Sequence, residues 1–514
     1  MTWSLVWGSA AQDAEDAGSA EPSKAAELVA DEATTLAAIQ LFNDAVTVQA
    51  DGKHNRLLRA LRHLEDPALG PLFAGLSRAS HPSLQIHGWL GVAELSQPRG
   101  LTLAQITAVD RHDVQAELIG AALDGELIHD DTRTALLGWS GLRPGVKLLL
   151  ATPHVAAGEF DADTPGFAEV VASLDNEAPG QRGLAGLLLT QLDDPRGNEV
   201  IERLIQETQP SADAVQGMLL ETAWAHGLTG VASWAYELSV NPDTPPRLEV
   251  LALKAAIRFG DPRAEPSWAK RLNDAEEISR RTRLAWLGLE AAPWLSPHRF
   301  DAVAEDADPL IAQLGRTGRA VALTRAGELP HPELEALVIE LIETGHPEAS
   351  RWASGYAEEV GSASLAAAVV TRTLPGKPRG RARRLNAVVQ STQTLLDLEP
   401  TTALELLPTI LTEEDADPAW QRGVLLGLIR CRSDAAREVG GRLPEFADPD
   451  TEALSLALRL QRDELLSEEQ NEALSAVLRG GAELDDSLRV QMAWAYLQRT
   501  GQGRAAIAAV LAEP

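Results

Sequence analysis

The chain has 514 residues, which is more than one compact hydrophobic core usually supports. Hydrophobic residues make up 45% and charged residues 23%, as in folded proteins, and only 3 Tyr and 7 Phe accompany the many Ala and Leu, which favours helices over strands. The 75 Asp and Glu against 45 Lys and Arg give a formal net charge of −30, which argues against general binding to nucleic-acid phosphates or anionic lipid surfaces.

Residues 1–24 are predicted to form a disordered acidic segment before the folded part of the chain. The short apolar run from Trp3 to Trp7, the small residues at 8–10 and the acidic stretch at 12–21 also resemble the remnant of an export signal. The protein would be cytoplasmic in the first case and periplasmic in the second. It is expected to be soluble, since no segment approaches the roughly 20 unbroken apolar residues of a membrane span. The single cysteine, Cys431, excludes an internal disulfide.

Two helices are predicted between residues 66 and 95, from the segments DPALGPLFAGL (66–76) and HPSLQIHGWLGVAEL (81–95). This pair resembles a HEAT repeat, and segments 404–411 and 417–428 are similar to the two helices of another. Further Asp-Pro dipeptides, compatible with helix starts, occur at positions 194, 261, 308 and 448. HEAT repeats often carry an arginine in the second helix, where this chain has Gln85. The resemblance implies an all-α fold, an α-solenoid of stacked antiparallel helix pairs, from about residue 25 onwards.

Short sequence patterns predict where several helices begin and end. In a capping box, a Ser or Thr and a Glu or Gln three residues later bond the free N–H groups of a helix start. This pattern occurs at Thr102 with Gln105, Thr402 with Glu405, and Ser467 with Gln470. Two glycines, Gly227 and Gly480, follow apolar helical stripes and are predicted to end those helices.

The clearest helical hairpin lies between His331 and Val360. Apolar residues at 334, 337, 338, 341 and 342 share one face of a helix, and those at 349, 352, 353, 356, 357 and 360 share one face of the next. Gly345 and Pro347 separate the two as a helix end and a helix start. Because one hairpin cannot bury both apolar faces, we expect it to stack against its neighbours.

Candidate metal ligands occur in two short acidic runs, His112-Asp113 and His129-Asp130-Asp131. Some HEAT-repeat enzymes, the deoxyhypusine hydroxylases, hold a di-iron centre with His-Glu pairs, but this chain has no His-Glu dipeptide. We interpret both runs as helix starts capped by Asp. Gly501 and Gly503 follow a predicted helix, where a dinucleotide-binding turn needs a strand, so they are interpreted as a turn between helices. No catalytic, metal or cofactor site is predicted.

One dense basic segment lies between Arg372 and Arg384. A loop is predicted at 374–381, because Pro and Gly break helices there, and a domain boundary at this loop is the alternative. The arginines either offset neighbouring carboxylates in a solvated turn or dock an acidic partner segment or a phosphate. The candidate partner-binding residues are Lys377, Arg379, Arg381, Arg383 and Arg384.

Tryptophan is frequent, with 12 residues in the chain. Each can pack in the core or anchor a partner in a concave groove, where large aromatic side chains often dominate binding energy. The six candidates for these two roles are Trp224, Trp234, Trp268, Trp286, Trp294 and Trp352.

Together these features predict helical repeats at residues 25–373 and 382–514, joined by the basic loop at 374–381. The favoured function is a non-enzymatic scaffold or adaptor that binds another protein through an extended repeat surface. An enzyme built on the same repeats, metal-dependent or lyase-like, is the alternative. A nucleic-acid-binding protein similar to the HEAT-like alkylpurine DNA glycosylases conflicts with the charge of −30.

Overall fold

A computed structural model describes residues 31–46, 52–176, 178–206, 210–372, 378–413, 416–431, 433–462 and 464–512. These residues form α-helices and short 3-10 helices, and they contain no β-strand. The predicted disordered segment at residues 1–24 lies outside the described residues. None of the described helices is both long and apolar enough to cross a membrane.

The α-helices follow one another with short connections throughout the described residues. Those of the first half are α1 (Glu32–Val46), α2 (Lys53–Arg62), α3 (Gly70–Leu76), α4 (Pro82–Leu95), α5 (Leu103–Thr107), α6 (His112–Asp124), α7 (Asp130–Gly138), α8 (Pro144–Ala157), α9 (Phe167–Ala172), α10 (Pro179–Gln191), α11 (Pro195–Gln206), α12 (Pro210–His226), α13 (Ala232–Val240) and α14 (Pro246–Arg258). Those of the second half are α15 (Ala264–Asp274), α16 (Ile278–Ala291), α17 (Asp301–Ala304), α18 (Pro309–Arg325), α19 (His331–Glu343), α20 (Pro347–Val360), α21 (Ala363–Arg372), α22 (Pro378–Leu398), α23 (Pro400–Leu411), α24 (Pro418–Cys431), α25 (Asp434–Gly440), α26 (Pro449–Gln461), α27 (Glu468–Leu478), α28 (Asp486–Arg499) and α29 (Gly501–Ala512).

Consecutive helices pack as antiparallel pairs, and the pairs stack side by side in two layers. Each odd-numbered helix from α1 to α27 packs on the even-numbered helix that follows it. The even-numbered helices also contact one another in succession, except that α18 is joined to α20 mainly through α19. In a curved solenoid, neighbouring helices lie closer together on the concave side than on the convex side. The even-numbered helices, whose contacts are more continuous, therefore form the inner layer. The architecture is the all-α solenoid of stacked helix pairs that the sequence predicts.

The solenoid closes on itself. Helix α1 packs against α27, α28 and α29, and α2 packs against α28. Across this seam, Thr34 Oγ1 donates to the carbonyl of Asn471 at 2.9 Å, and Trp494 Nε1 donates to Asp66 Oδ2 at 2.8 Å. The rings of Phe42 and Trp494 lie 5.6 Å apart. One continuous hydrophobic core therefore runs from α1 to α29, and the molecule is a ring of helix pairs, a feature that the sequence did not predict.

The hairpin predicted at residues 331–360 is confirmed. Its first helix, α19, buries the predicted stripe of Leu334, Val338, Leu341 and Ile342. Gly345 follows with a left-handed φ of +70°. The second helix, α20, begins at Pro347, and it buries alanines of the second predicted stripe. The pattern of apolar positions was sufficient to predict the hairpin, because each of its helices buries one face against neighbouring pairs.

Helix starts are confirmed at two of the three predicted capping boxes. Thr102 and Ser467 each make both hydrogen bonds of the box. The third prediction, at Thr402, is wrong. Helix α23 already begins at Pro400, so Thr402 lies in the first turn, and its hydroxyl donates to Glu399 at 2.8 Å.

Three helix pairs share a packing arrangement that was not predicted from the sequence. In each, a glycine of the inner helix faces an aromatic ring from the outer helix or from the residues just before it. A Cβ atom at the glycine would overlap that ring. The three contacts are Gly91 with Phe73, Gly288 with Trp268, and Gly318 with Phe300. The glycines thus allow the inner helix to lie close to a large buried side chain.

Candidate functional site

The predicted basic segment is only partly described. Lys377 lies outside the described residues, and α22 begins at Pro378, so this helix already includes positions 378–381 of the predicted loop. Arg379 and Arg381 belong to the first turn of α22, and their side chains lie outside the described part.

Two of the five candidate partner-binding residues have described side chains, and both contact the turn between α19 and α20. Arg383 forms an ion pair with Glu348, and Arg384 donates to the carbonyl of Gly345. Nearby, the pKa of His346 is lowered, first by burial and then by Arg384 and Arg383. Arg383 and Arg384 therefore help to hold neighbouring helix pairs together, and partner docking at this segment stays a prediction.

The six tryptophans divide by exposure. Trp268 is fully buried and its Nε1 donates to the carbonyl of Leu284 at 2.9 Å, and Trp234 is also buried. Trp224, Trp286 and Trp352 are half-buried. Trp294 is 39% exposed, and its ring lies 5.8 Å from that of Trp224 in an edge-to-face arrangement. Core packing thus explains two of the six fully, whereas Trp224 and Trp294 meet on the surface.

These two tryptophans surround an arginine, and we call the group the Arg258 cluster. The guanidinium of Arg258 lies 4.0 Å from the ring centre of Trp224, 5.3 Å from that of Trp294 and 5.7 Å from that of Phe259. Lys254 Nζ lies 4.6 Å from the same ring of Trp224. Trp224 and Arg258 lie at the C-terminal ends of α12 and α14, and Trp294 lies in the short 3-10 helix that follows α16. These three α-helices neighbour one another in the inner layer. Stacking against the rings orients the cation.

The two cations of the cluster differ in their partners. Lys254 Nζ forms an ion pair with Glu290 at 2.6 Å. The guanidinium of Arg258 has no hydrogen bond or ion pair with any residue that the structure describes, although burial lowers its pKa and Glu359 raises it. An arginine remains protonated at neutral pH and presents a planar set of donors that matches a carboxylate. Arg258 is therefore a half-buried cation with free donors.

Ion pairs continue from the Arg258 cluster across the inner surface. Glu290 of α16 accepts from Arg351 of α20 at 3.2 Å, and Arg351 also pairs with Glu348 at 2.6 Å. Aromatic contacts run beside them: the rings of Trp286 and His346 lie 5.3 Å apart, and Trp352 stacks on its neighbour Tyr356. This strip joins α14, α16 and α20 beside Arg258.

A cavity of about 670 Å³ lies where the ring closes, a volume within the usual range for small-molecule sites. We call it the closure pocket. Its lining comes from α2, the end of α24 and the start of α28, and it consists of Arg56, Arg59, Ala60, His63, Glu65, Ile429, Arg430, Asp485, Ser487 and Gln491. This site was not predicted from the sequence, because its walls are more than 360 residues apart in the chain. The basic spacing of α2, KHNRLLRALR, was the available signal.

The predicted helix-start positions of the candidate metal ligands are confirmed, but the predicted capping is wrong. Arg111 and His129 occupy the N-cap positions of α6 and α7, and neither side chain makes a cap hydrogen bond. Asp113 instead pairs with Arg111 at 2.5 Å, and hydrogen bonding to Arg111 lowers the pKa of Asp113 to about 2. The described residues contain no group of three or more His, Cys, Asp or Glu that could hold a metal ion.

Comparison with known proteins identifies a remote structural likeness. No protein-family model matches the chain, and no curated protein matches it. Among solved structures, it is similar to the crystal structure of Kap121p bound to Nup53p, with 13% identity and a TM-score of 0.31. That alignment covers 93% of this chain and 56% of the other, so this chain spans little more than half the length of its neighbour.

Proposed function

We propose that this protein is a non-enzymatic, HEAT-like scaffold that binds an acidic segment of a partner protein at the Arg258 cluster. The observation that carries the proposal is the guanidinium of Arg258, stacked on Trp224 at 4.0 Å without a carboxylate partner among the described residues. A carboxylate from a partner would supply the two acceptors that a guanidinium binds side by side. In an acidic chain, such a cation is a specific point of contact rather than part of a general positive surface.

The surroundings of Arg258 suit a peptide more than an isolated ion. The exposed part of Trp294 offers an apolar contact beside the cation, and tryptophan and arginine are the residues that most often dominate protein interfaces. The inner surface continues along α16 and α20, so an extended segment can make further contacts. Because ion pairs already link side chains of this strip, fewer of them lose conformational freedom when a partner binds.

The test is selection of short random peptides on the full chain, followed by titration calorimetry with the strongest binder. We expect the selected peptides to carry Asp or Glu beside an apolar side chain. Arg258→Glu should weaken their binding at least about tenfold, which corresponds to ~1.4 kcal/mol. Added salt should weaken wild-type binding as well.

Arg283→Glu is the matched control, because it makes the same change of charge at an exposed arginine of α16 away from the cluster. This variant should bind like the wild type. Selected peptides without carboxylates, or equal affinity for wild type and Arg258→Glu, would contradict the proposal. The same titration on Arg379→Glu/Arg381→Glu tests the predicted basic docking segment without removing Arg383 or Arg384, and loss of binding only there would move the site to α22.

A further inference from the structure

We infer that the closure pocket binds a small multivalent anion bearing phosphate or carboxylate groups. The pocket is independent of the Arg258 cluster, since its walls belong to α2, α24 and α28. Three arginines face it from two sides of the seam, Arg56 and Arg59 from α2 and Arg430 from α24. Ser487 and Gln491 on α28 add a hydroxyl and an amide, which donate to the same kind of ligand.

The arginines of the pocket retain free donors. The guanidinium groups of Arg59 and Arg430 make no hydrogen bond or ion pair with any residue that the structure describes. Among the described residues, Arg56 pairs with Asp486 at 3.8 Å, a long contact in which the Arg56 side chain is 70% exposed. Guanidinium groups on opposite walls of a concave site bind an anion more strongly than they do on an open surface, because the cavity excludes part of the water.

The two carboxylates of the lining are already engaged. Glu65 forms an ion pair at 3.5 Å with Arg99, which does not line the pocket. Asp485 accepts the backbone N–H of Ser487 at 3.2 Å, as the N-cap of α28. The lining therefore combines three arginines with two carboxylates that already have other contacts, in a chain whose net charge is −30.

Burial is the main cause of a lowered pKa at two histidines near α2, and arginines of α2 contribute after it. Burial lowers the pKa of His63 first, and Arg62 lowers it further. On α4, the pKa of His87 is lowered to about 4, again by burial first and then by Arg62 and Arg59. The arginines of α2 therefore act together on this region.

Binding in this pocket would join distant parts of the chain. An anion held by Arg59 and Arg430 bridges the second helix of the ring and its last quarter, next to the seam between α2 and α28. A ligand that binds only the folded ring raises its stability in proportion to its occupancy. Binding of a small anion in the pocket thus stabilises the closed ring.

The test uses the full chain with pyrophosphate and citrate, in titration calorimetry and thermal unfolding at constant ionic strength set with NaCl. We expect saturable binding of at least one of the two anions and a higher melting temperature. Pyrophosphate alone would assign the pocket to phosphates, and citrate alone to carboxylates. Arg59→Gln/Arg430→Gln should reduce the affinity at least about tenfold and remove the thermal shift.

Arg280→Gln/Arg283→Gln is the matched control, since it removes two exposed arginines of α16, and it should bind like the wild type. Arg258→Glu should also retain anion binding, which separates this inference from the proposed function. Circular dichroism checks that each variant is folded. Absence of saturable binding by both anions, or equal affinity in the Arg59/Arg430 variant, overturns the inference.

Discussion

At the scale of single residues, His87 shows how the ring places a titratable group in its core. His87 lies on α4 and is 8% exposed. Arg62 donates to His87 Nδ1 at 3.2 Å and to Glu94 at 2.9 Å. Because a guanidinium can only donate, Nδ1 accepts, and the imidazole is neutral with its proton on Nε2. Burial, with Arg62 as the second cause, lowers the pKa of His87 to about 4.

This pKa predicts a loss of stability in acid. The unfolded chain protonates this histidine near pH 6.5, and the folded chain only near pH 4. The free energy of unfolding is therefore unaffected by this group above pH 6.5, and it falls as the pH drops from 6.5 towards 4, by roughly 3 kcal/mol at most. Urea unfolding at pH 7 and pH 4.5 measures the difference. His87→Gln should reduce it, and His112→Gln, at an exposed position, should leave it unchanged. An equal pH dependence in wild type and His87→Gln would show that His87 is not the responsible group.

At the scale of helices, the contact between Gly288 and Trp268 tests the packing arrangement shared by three pairs. A Cβ atom at position 288 would overlap the indole of Trp268, which cannot move away freely, because it is fully buried and bonded to Leu284. Gly288→Ala should therefore destabilise the protein by about 1–3 kcal/mol through overpacking.

Gly355 is the matched control, since it also lies within an inner helix, α20, but has open space where a Cβ atom would be added. Gly355→Ala should stabilise the protein by up to about 1 kcal/mol, because Ala has the higher helix propensity. Thermal unfolding of both variants checks the sign. A stabilising Gly288→Ala would mean that the inner helix does not lie close to Trp268.

Most of the elements were predictable, because helix ends and apolar faces depend on neighbouring residues. The hairpin at residues 331–360 and the boxes at Thr102 and Ser467 formed as their patterns predict. The failure at Thr402 has a local cause as well: Pro400 is equally suited to the first turn of a helix, and the helix begins there. Two overlapping start signals cannot be ranked from their spacing alone.

At the scale of the whole molecule, closure makes the first and last helices one packing unit. Trp494 of α28 contacts Phe42 of α1 and donates to Asp66, which Gln498 also contacts at 2.6 Å. In an open solenoid, damage at α28 would spread only to the adjacent pairs. In a ring it also reaches the start of the chain.

Hydrogen exchange can distinguish these two cases. Trp494→Ala should cost about 3–5 kcal/mol and should increase amide exchange in α1 and α2 as well as in α26–α29. Trp268→Ala is the control, because it removes another buried tryptophan that lies far from the seam. It should increase exchange around α15–α18 while α1 and α2 stay protected. Unchanged exchange of α1 and α2 in Trp494→Ala would contradict ring closure.

The sequence by itself determined the helices, their pairing and the all-α class, because apolar spacing, Asp-Pro starts and glycine ends act over a few residues. Only the tertiary structure decided that the pairs form a ring, since closure depends on small rotations between successive pairs, set by side-chain packing at each interface and accumulated around the whole chain. The candidate sites follow from that geometry. Arg258 meets Trp294 because neighbouring inner helices end at the same edge, and Arg59 faces Arg430 because the ends of the chain meet.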